Sequence, residues 1–458
     1  MENLTALFEK QATFLHEEAV MSHSFRIKAL TKLSDAILKY REEIHVALKA
    51  DLGKSSFESY ITETGFVLHE LAFIKKNLKK WMKPTRVSTP QKILFYSKSY
   101  SRHVPKGQVL ILSPWNYPFQ LLFSPLIGAI AAGNTVVLKP SEYAVHVAQI
   151  VEKIIEEVFP EKYVAIVQGG ADTAKNLLKL DWDLVFFTGS TVVGKKIAEA
   201  AAKNLTPVVL ELGGKCPAIV HRDANLRVAA RRIAWGKLIN TGQTCVAPDY
   251  LLVHSSVKQK LLKLLVIEIE NMLGRNFKET AAYGRIINSQ NFDRLNTLLE
   301  NTNIYYGGNR DRDELFIAPT IIDNVNPNHP LMKEEIFGPI LPVLTYEEFD
   351  EAVRFVKRRE PPLAIYQFTR SNTIFDQMQR HTRSGAILKN ETIMHLSNLR
   401  LPFGGVRQSG SGRYHGKFSF ETFSDQRSVL KHSTFFDPAM RYPPYTAKKW
   451  NIIKKLLP

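Results

Sequence analysis

Apolar residues recur every three to four positions through 25–48 and again through 65–81, the spacing of amphipathic helices, so the first 83 residues read as helical packing elements. Beyond them the period changes. β-branched and aromatic residues alternate in part over 86–103, which predicts an extended hairpin. Between Gln108 and Glu211, short apolar runs at 109–112, 136–138, 164–167, 185–187 and 208–210 are separated by helix-length segments. Strands that are apolar throughout belong to a parallel sheet covered on both faces, and repeated strand–helix–strand units build one. A second, less regular alternation over 218–389 predicts another α/β domain, and the Pro/Gly-rich stretch 401–416 a loop rejoining the body. In the tail, Trp450, Ile453 and Leu457 fall at i, i+3 and i+7, with Lys448, Lys449, Lys454 and Lys455 largely opposite. Such a basic amphipathic helix is expected to dock on the body or on a partner subunit rather than on a membrane.

At 458 residues the chain has room for two or three domains with cores of their own. Its 45% hydrophobic and 23% charged content is ordinary for globular proteins and excludes a disordered or collagen-like chain. No apolar run reaches the roughly 18 residues that span a bilayer. The opening Met1-Glu2-Asn3-Leu4 lacks the basic start and apolar core of a signal peptide, so a cytoplasmic protein is expected. Cys216 and Cys245 are the only cysteines, which leaves no disulfide framework and no Cys-rich metal site; no metal is expected. The net charge of +17 favours anionic partners in general. Because the basic residues are spread along the chain, without a zinc finger or an RNA-binding aromatic signature, nucleic acid is not an expected partner.

Ligands of parallel sheets bind at the carboxyl ends of the strands, so the chemistry is expected in those segments. After the first run comes Ser113-Pro114-Trp115-Asn116-Tyr117-Pro118, where Asn116 is either a hydrogen-bond donor to a ligand or part of an Asx-turn. After the second come Lys139, Ser141 and Glu142, suited to ribose hydroxyls or to a surface turn. The fourth runs into Thr188-Gly189-Ser190-Thr191-Val192-Val193-Gly194-Lys195-Lys196, glycines that would admit a phosphate at a helix start. Gly189 to Lys195 fits the spacing of a Walker A loop, but Lys196 replaces the required hydroxyl; G-x-G-x-x-G is absent because position 191 is Thr. Glu211 emerges among apolar residues before Gly213 and Gly214, as a general base would or as a carboxylate satisfied by the following backbone. Cys245, between a helix-length segment and a strand, is a candidate nucleophile or a quietly buried thiol; Cys216, inside an apolar run, fits burial.

Together these segments resemble the aldehyde dehydrogenase superfamily, and within it the class 3 branch that includes fatty aldehyde dehydrogenases. The resemblance spans about 20–430 and rests on PWNYPFQL (114–121), AAGNTVVLKPSE (131–142), FFTGSTVVGK (186–195), LELGGK (210–215), GQTCVAPDY (242–250), EEIFGPILPV (334–343), and LPFGGV (401–406) followed by SGSGRYHGKFSFETFS (409–424). It implies an α/β fold with a Rossmann-like dinucleotide-binding domain (1–85 and 104–210), a second α/β catalytic domain (211–400), and bridging elements (86–103 with 401–458) that carry oligomerisation and the tail. It also implies NAD(P)-linked oxidation of an aldehyde to the acid, with Cys245 as nucleophile, Asn116 and the Cys245 N–H as oxyanion hole and Glu211 as general base. Gly189, Ser190, Thr191, Val193 and Gly194 would carry the pyrophosphate, Lys139 and Glu142 the adenosine ribose, and Glu335 and Phe337 the nicotinamide riboside. Trp115, Ser141, Thr188 and Leu212 complete the implied cofactor set. NAD is favoured over NADP by Glu142, and a homodimer is expected. An acylating enzyme that passes the thioester to coenzyme A, or an inactive binding protein, is the alternative. Arg407, where relatives commonly carry a small residue, departs from the pattern.

Overall fold

The computed structural model of the chain describes residues 2–17, 19–90 and 94–456. Ser22 opens the helix His23–Lys39 by accepting the Phe25 N–H at 3.2 Å, and the helix buries Leu30, Leu33 and Ile37. The single helix expected over 25–48 is in fact two. The chain leaves helical geometry at Tyr40 (ψ 10), whose hydroxyl is held by Glu157 at 2.5 Å, and restarts as Arg41–Leu52. Helix Gly65–Trp81 follows as expected.

Five parallel strands, Gln108–Leu112, Thr135–Lys139, Val164–Ile166, Leu184–Gly189 and Val208–Leu212, form the first sheet. Taken in chain order, they lie side by side as fifth, fourth, first, second, third. The order therefore reverses between Gln108–Leu112 and Leu184–Gly189, and a ligand belongs in the crevice beyond their carboxyl ends. A two-residue strand, Gly410–Ser411, joins the outer edge antiparallel to Val208–Leu212. Helix Gln120–Ala132, apolar almost all round, is buried along its whole length, as such a helix must be.

The second sheet runs Ile304–Tyr306, Thr320–Ile322, Ile340–Tyr346, Tyr250–His254, Pro217–Val220, Ala364–Phe368, Ala386–Lys389, with only the first strand antiparallel to its neighbour. The expected hairpin is present as Thr85–Val87 against Lys98–Pro105; residues 91–93 between them lie outside the described set. Ser424–Lys431 adds a third, antiparallel strand that the sequence pattern did not signal, because its exposed, polar face resembles a loop.

Two features depart from the sequence reading or bear on stability. The terminal helix, Ala447–Leu456, buries no residue and leaves Trp450 59% exposed, so the expected docking on the body of the same chain does not occur; Leu457 lies outside the described residues. Among the described residues no helix is long and apolar enough to cross a membrane. Glu70 is fully buried in helix Gly65–Trp81, where its Oε1 accepts the Gly416 N–H at 2.9 Å, and burial pushes its carboxyl from 4.5 up to about 7. A carboxyl raised in the fold binds a proton that the unfolded chain has released, so stability falls as pH rises through this window and levels off above it. The expected loss is about 3 kcal/mol, and Glu70→Gln should remove that slope from denaturant midpoints measured against pH.

Candidate active site

Cys245 lies on the turn between helix Leu226–Leu238 and strand Tyr250–His254, half-buried, reached through Asn240 and Thr241 in left-handed conformations (φ 51 and 54). Burial pushes its thiol well above the ordinary range, and the nearby carboxyls of Glu335 and Glu211 push the same way. The N–H groups of Cys245 and Val246, directed at the sulfur, oppose them. Asn116 is buried on the facing loop and donates from Nδ2 to Gln243 O at 3.0 Å, which holds its carboxamide beside the cysteine turn. Tyr117 and Thr244 tie the same two loops together through their hydroxyls at 2.6 Å.

Glu211 is part of strand Val208–Leu212, paired with Gly410, and its side chain is buried without a hydrogen-bond partner for either oxygen among the described residues. The alternative reading, a carboxylate satisfied by the following backbone, is therefore not met. A Cβ on Gly404, which has φ 154, would stand 2.9 Å from Oε1, so a glycine there keeps room for the carboxyl. Burial raises its pKa well above the ordinary value, only partly offset by Arg413. Arg413 itself is committed to carbonyls, donating to Gly405 O at 2.5 Å and Gly412 O at 2.7 Å.

Glu335 rests on the two glycines after Glu211's strand. A Cβ on Gly213 would come within 1.7 Å of its Oε2, and the Gly214 N–H donates to the carboxyl. Burial first, then Asp249, raises its pKa well above normal, while Lys215 lowers it. Its loop is clamped by residues the sequence reading did not single out. Lys215 Nζ pairs with the Asp249 carboxylate and donates to Leu331 O at 2.6 Å and Glu334 O at 2.8 Å. Asp249 Oδ1 accepts Ile336 N–H at 2.8 Å, and Arg294 Nη2 donates to Ile336 O at 2.7 Å. Lys215 and Asp249 stand inside quoted motifs; Arg294 carried no signal. Phe337, at φ 54, meets the Trp115 ring edge-on at 5.3 Å and so joins the loops of the two sheets.

The remaining candidates gather at the carboxyl end of the first sheet. Lys139 Nζ lies 3.2 Å from Glu142 Oε2 and 3.0 Å from Pro140 O, and buried Ser141 accepts Tyr143 N–H at 3.3 Å. Gly170, not anticipated, is next to Glu142: a Cβ there would sit 3.8 Å from Oε1. Thr188 Oγ1 is buried without a partner among the described residues. Ser190 caps helix Thr191–Ala202 by accepting Val193 N–H at 3.4 Å, and Thr191 Oγ1 donates to Gln408 O at 3.0 Å. Gly189 closes strand Leu184–Gly189, Val193 is exposed, and Gly194 packs on buried Leu212. A helix N-terminus at the switch point with a Lys–Glu pair beside it has the donors and acceptors a dinucleotide needs. Among the described residues no cluster of three or more His, Cys, Asp or Glu side chains could hold a metal ion.

Residues 5–429 match the model of the aldehyde dehydrogenase family. The chain belongs to that family. It is an NAD(P)-dependent aldehyde dehydrogenase. It is 46% identical over 443 residues to 4,4'-diaponeurosporen-aldehyde dehydrogenase of Staphylococcus aureus (strain NCTC 8325 / PS 47), covering 96% of each chain. Over 429 residues it is 43% identical to the dimeric NADP-preferring aldehyde dehydrogenase of Rattus norvegicus, covering 93% of this chain and 94% of that one. The solved substrate-bound state of Staphylococcus aureus AldH superposes with a TM-score of 0.97 at 45% identity, covering 99% of both. This aldehyde dehydrogenase thus has an aldehyde as substrate and a nicotinamide dinucleotide as cofactor.

Proposed function

We propose that Cys245 forms the covalent adduct, that Asn116 and the Cys245 N–H hold its oxygen, and that Glu211 activates the water that hydrolyses the thioester. The observation that carries this reading is the gathering of Asn116, Glu211 and Glu335 around one half-buried cysteine. An aldehyde has no leaving group, so its carbon must first become a tetrahedral adduct that can release its own hydrogen as hydride while the C=O bond re-forms, and the Cys245 thiolate makes that adduct. Donors fixed before reaction stabilise the alkoxide without reorganising. NAD(P), when bound, accepts the hydride. Glu211, desolvated and without a partner, has the raised basicity that deprotonating a water requires.

The cofactor and substrate can be narrowed further. Glu142 accepts from an adenosine 2′-hydroxyl and repels a 2′-phosphate, while Lys139 at 3.2 Å offsets part of that repulsion, so NAD is preferred with measurable NADP use. Next to the Gly404 that borders Glu211, His415 stacks on Phe403 at 5.1 Å and packs on Tyr414 and Phe66. Burial holds His395 and His415 down to about 4 and about 3, so both are uncharged at neutral pH. This buried, aromatic and uncharged cluster beside Glu211 supports an apolar or aromatic aldehyde as the substrate we propose. The open edge of Ser424–Lys431 and the undocked tail support a homodimer. Turnover with an aldehyde panel, compared by kcat/KM with each dinucleotide and without coenzyme A, tests this. The expected result is the highest kcat/KM with apolar aldehydes and NAD; strict NADP dependence, or an absolute need for coenzyme A, overturns the reading.

A further inference from the structure

We infer that Lys54, Glu58 and Glu63 are positioning residues that set both the oxyanion donor and the nucleophile turn from one short segment, 54–63, that widens into a π-helical stretch. The inference rests on the assignment of Asn116 as oxyanion donor. From the short helix Ser56–Ser59 the chain widens into a π-helical stretch, Tyr60–Thr64, closed by Gly65 N–H to Tyr60 O, before helix Gly65–Trp81 begins. Positions five apart on an α-helix lie roughly 140° apart around the axis. The wider i→i+5 turn brings Glu58 and Glu63 toward one side, and such turns recur at functional sites.

What those side chains reach is specific. Lys54 Nζ and Glu63 Oε1 are 2.6 Å apart, both fully buried. The same ammonium donates to Asn116 O at 3.1 Å, and Glu63 Oε2 accepts Gln120 N–H at 2.8 Å. One ion pair therefore grips both ends of 116–120, the segment that presents the Asn116 carboxamide. Glu58 Oε1 accepts Asn240 N–H at 2.6 Å. Asn240 Nδ2 in turn donates to Asn116 O at 2.7 Å and to Gln243 O at 3.0 Å, the carbonyl that also receives Asn116 Nδ2. The left-handed Asn240 and Thr241 are costly for residues with a Cβ and persist only where neighbours hold them. Lys54 and Glu58 thus act on the two loops from behind, without touching the reacting atoms. Oxyanion stabilisation depends on donors aimed in advance, and a shift of about 1 Å from a distant change can cost about 10²-fold.

The test compares Lys54→Met and Asn116→Ala, singly and combined, with Glu58→Ala and Glu58→Gln, all in the full chain. It reads the single-turnover rate of NADH formation, KM for NAD, alkylation of Cys245 by iodoacetamide, and thermal stability. Lys54→Met should slow the single-turnover step about 10–100-fold with KM for NAD unchanged. If it acts through Asn116, it should add less than about twofold once that side chain is gone. Glu58→Gln, which keeps an acceptor for Asn240 N–H, should restore most of the activity and the Cys245 alkylation rate that Glu58→Ala loses. Full additivity of Lys54→Met with Asn116→Ala, or activity losses that follow only the folded fraction, overturns the proposal. Should Lys54→Met fail to fold, equal activity of the two Glu58 variants overturns it alone. If Asn116→Ala itself is silent while Cys245 remains essential, the oxyanion assignment fails instead.

Discussion

Cys245→Ala is expected to abolish aldehyde oxidation, by at least about four orders of magnitude, and to leave dinucleotide binding intact. No other group near the site can replace it: Cys216 is fully buried, with its sulfur engaged by Cys245 O at 3.5 Å and Ala364 N–H at 3.3 Å. The elements proposed to hold the dinucleotide, Lys139–Glu142 and the start of helix Thr191–Ala202, belong to the other sheet and do not depend on the thiol. Kinetics with excess aldehyde, paired with calorimetric titration of NAD, would separate the two effects. Residual turnover near the wild-type level would remove Cys245 from the mechanism.

Glu211→Gln should leave the hydride step largely intact and slow hydrolysis of the thioester about 10²–10⁴-fold, the usual worth of a general base. Glutamine occupies the same space but cannot take a proton from water. NADH should then appear as a burst of about one equivalent per site followed by a slow steady rate. The pH dependence carries the same information. Both Cys245 and Glu211 are pushed up by burial, so the active, deprotonated forms are gained as pH rises and lost as it falls. Wild-type steady-state turnover should rise toward alkaline pH, and the part of that rise owed to hydrolysis should vanish in Glu211→Gln. Loss of the burst together with steady turnover would place Glu211 in thiol activation, or make Glu335 the hydrolytic base.

Much of this was legible in the sequence because a buried parallel sheet writes itself as uninterrupted apolar runs, and its ligands must lie where those runs end. That logic reaches Asn116, Lys139, Glu142, Ser190 and Glu211, each within a few residues of a strand end or a helix start; Cys245 stands out instead as a lone cysteine between a helix-length segment and a strand. It misses residues whose placement depends on geometry with no hydrophobic period. Lys54 precedes the short helix Ser56–Ser59, Glu58 lies in it, and Glu63 sits on the π-helical stretch Tyr60–Thr64, a broken succession that matches neither the helical nor the strand period. Arg294 acts through backbone carbonyls far along the chain, a partnership no local motif records. The edge strand Ser424–Lys431 is exposed over most of its length and so resembles a loop, while the break at Tyr40 comes from a tertiary contact with Glu157. The tail pattern predicts the helix that forms, but amphipathicity alone does not say what covers its apolar side; among the described residues nothing buries it. Arg407 takes a left-handed conformation (φ 58) in the turn that returns to Gly410.

The most direct test of the covalent route is intact-mass spectrometry of Glu211→Gln quenched during turnover with an aldehyde and NAD, followed by peptide mapping. The account predicts a species heavier than the enzyme by the aldehyde less two hydrogens, the thioester, located on Cys245 and absent when NAD is omitted. No such species while the burst of NADH is present, or an acyl group on any other residue, would contradict it.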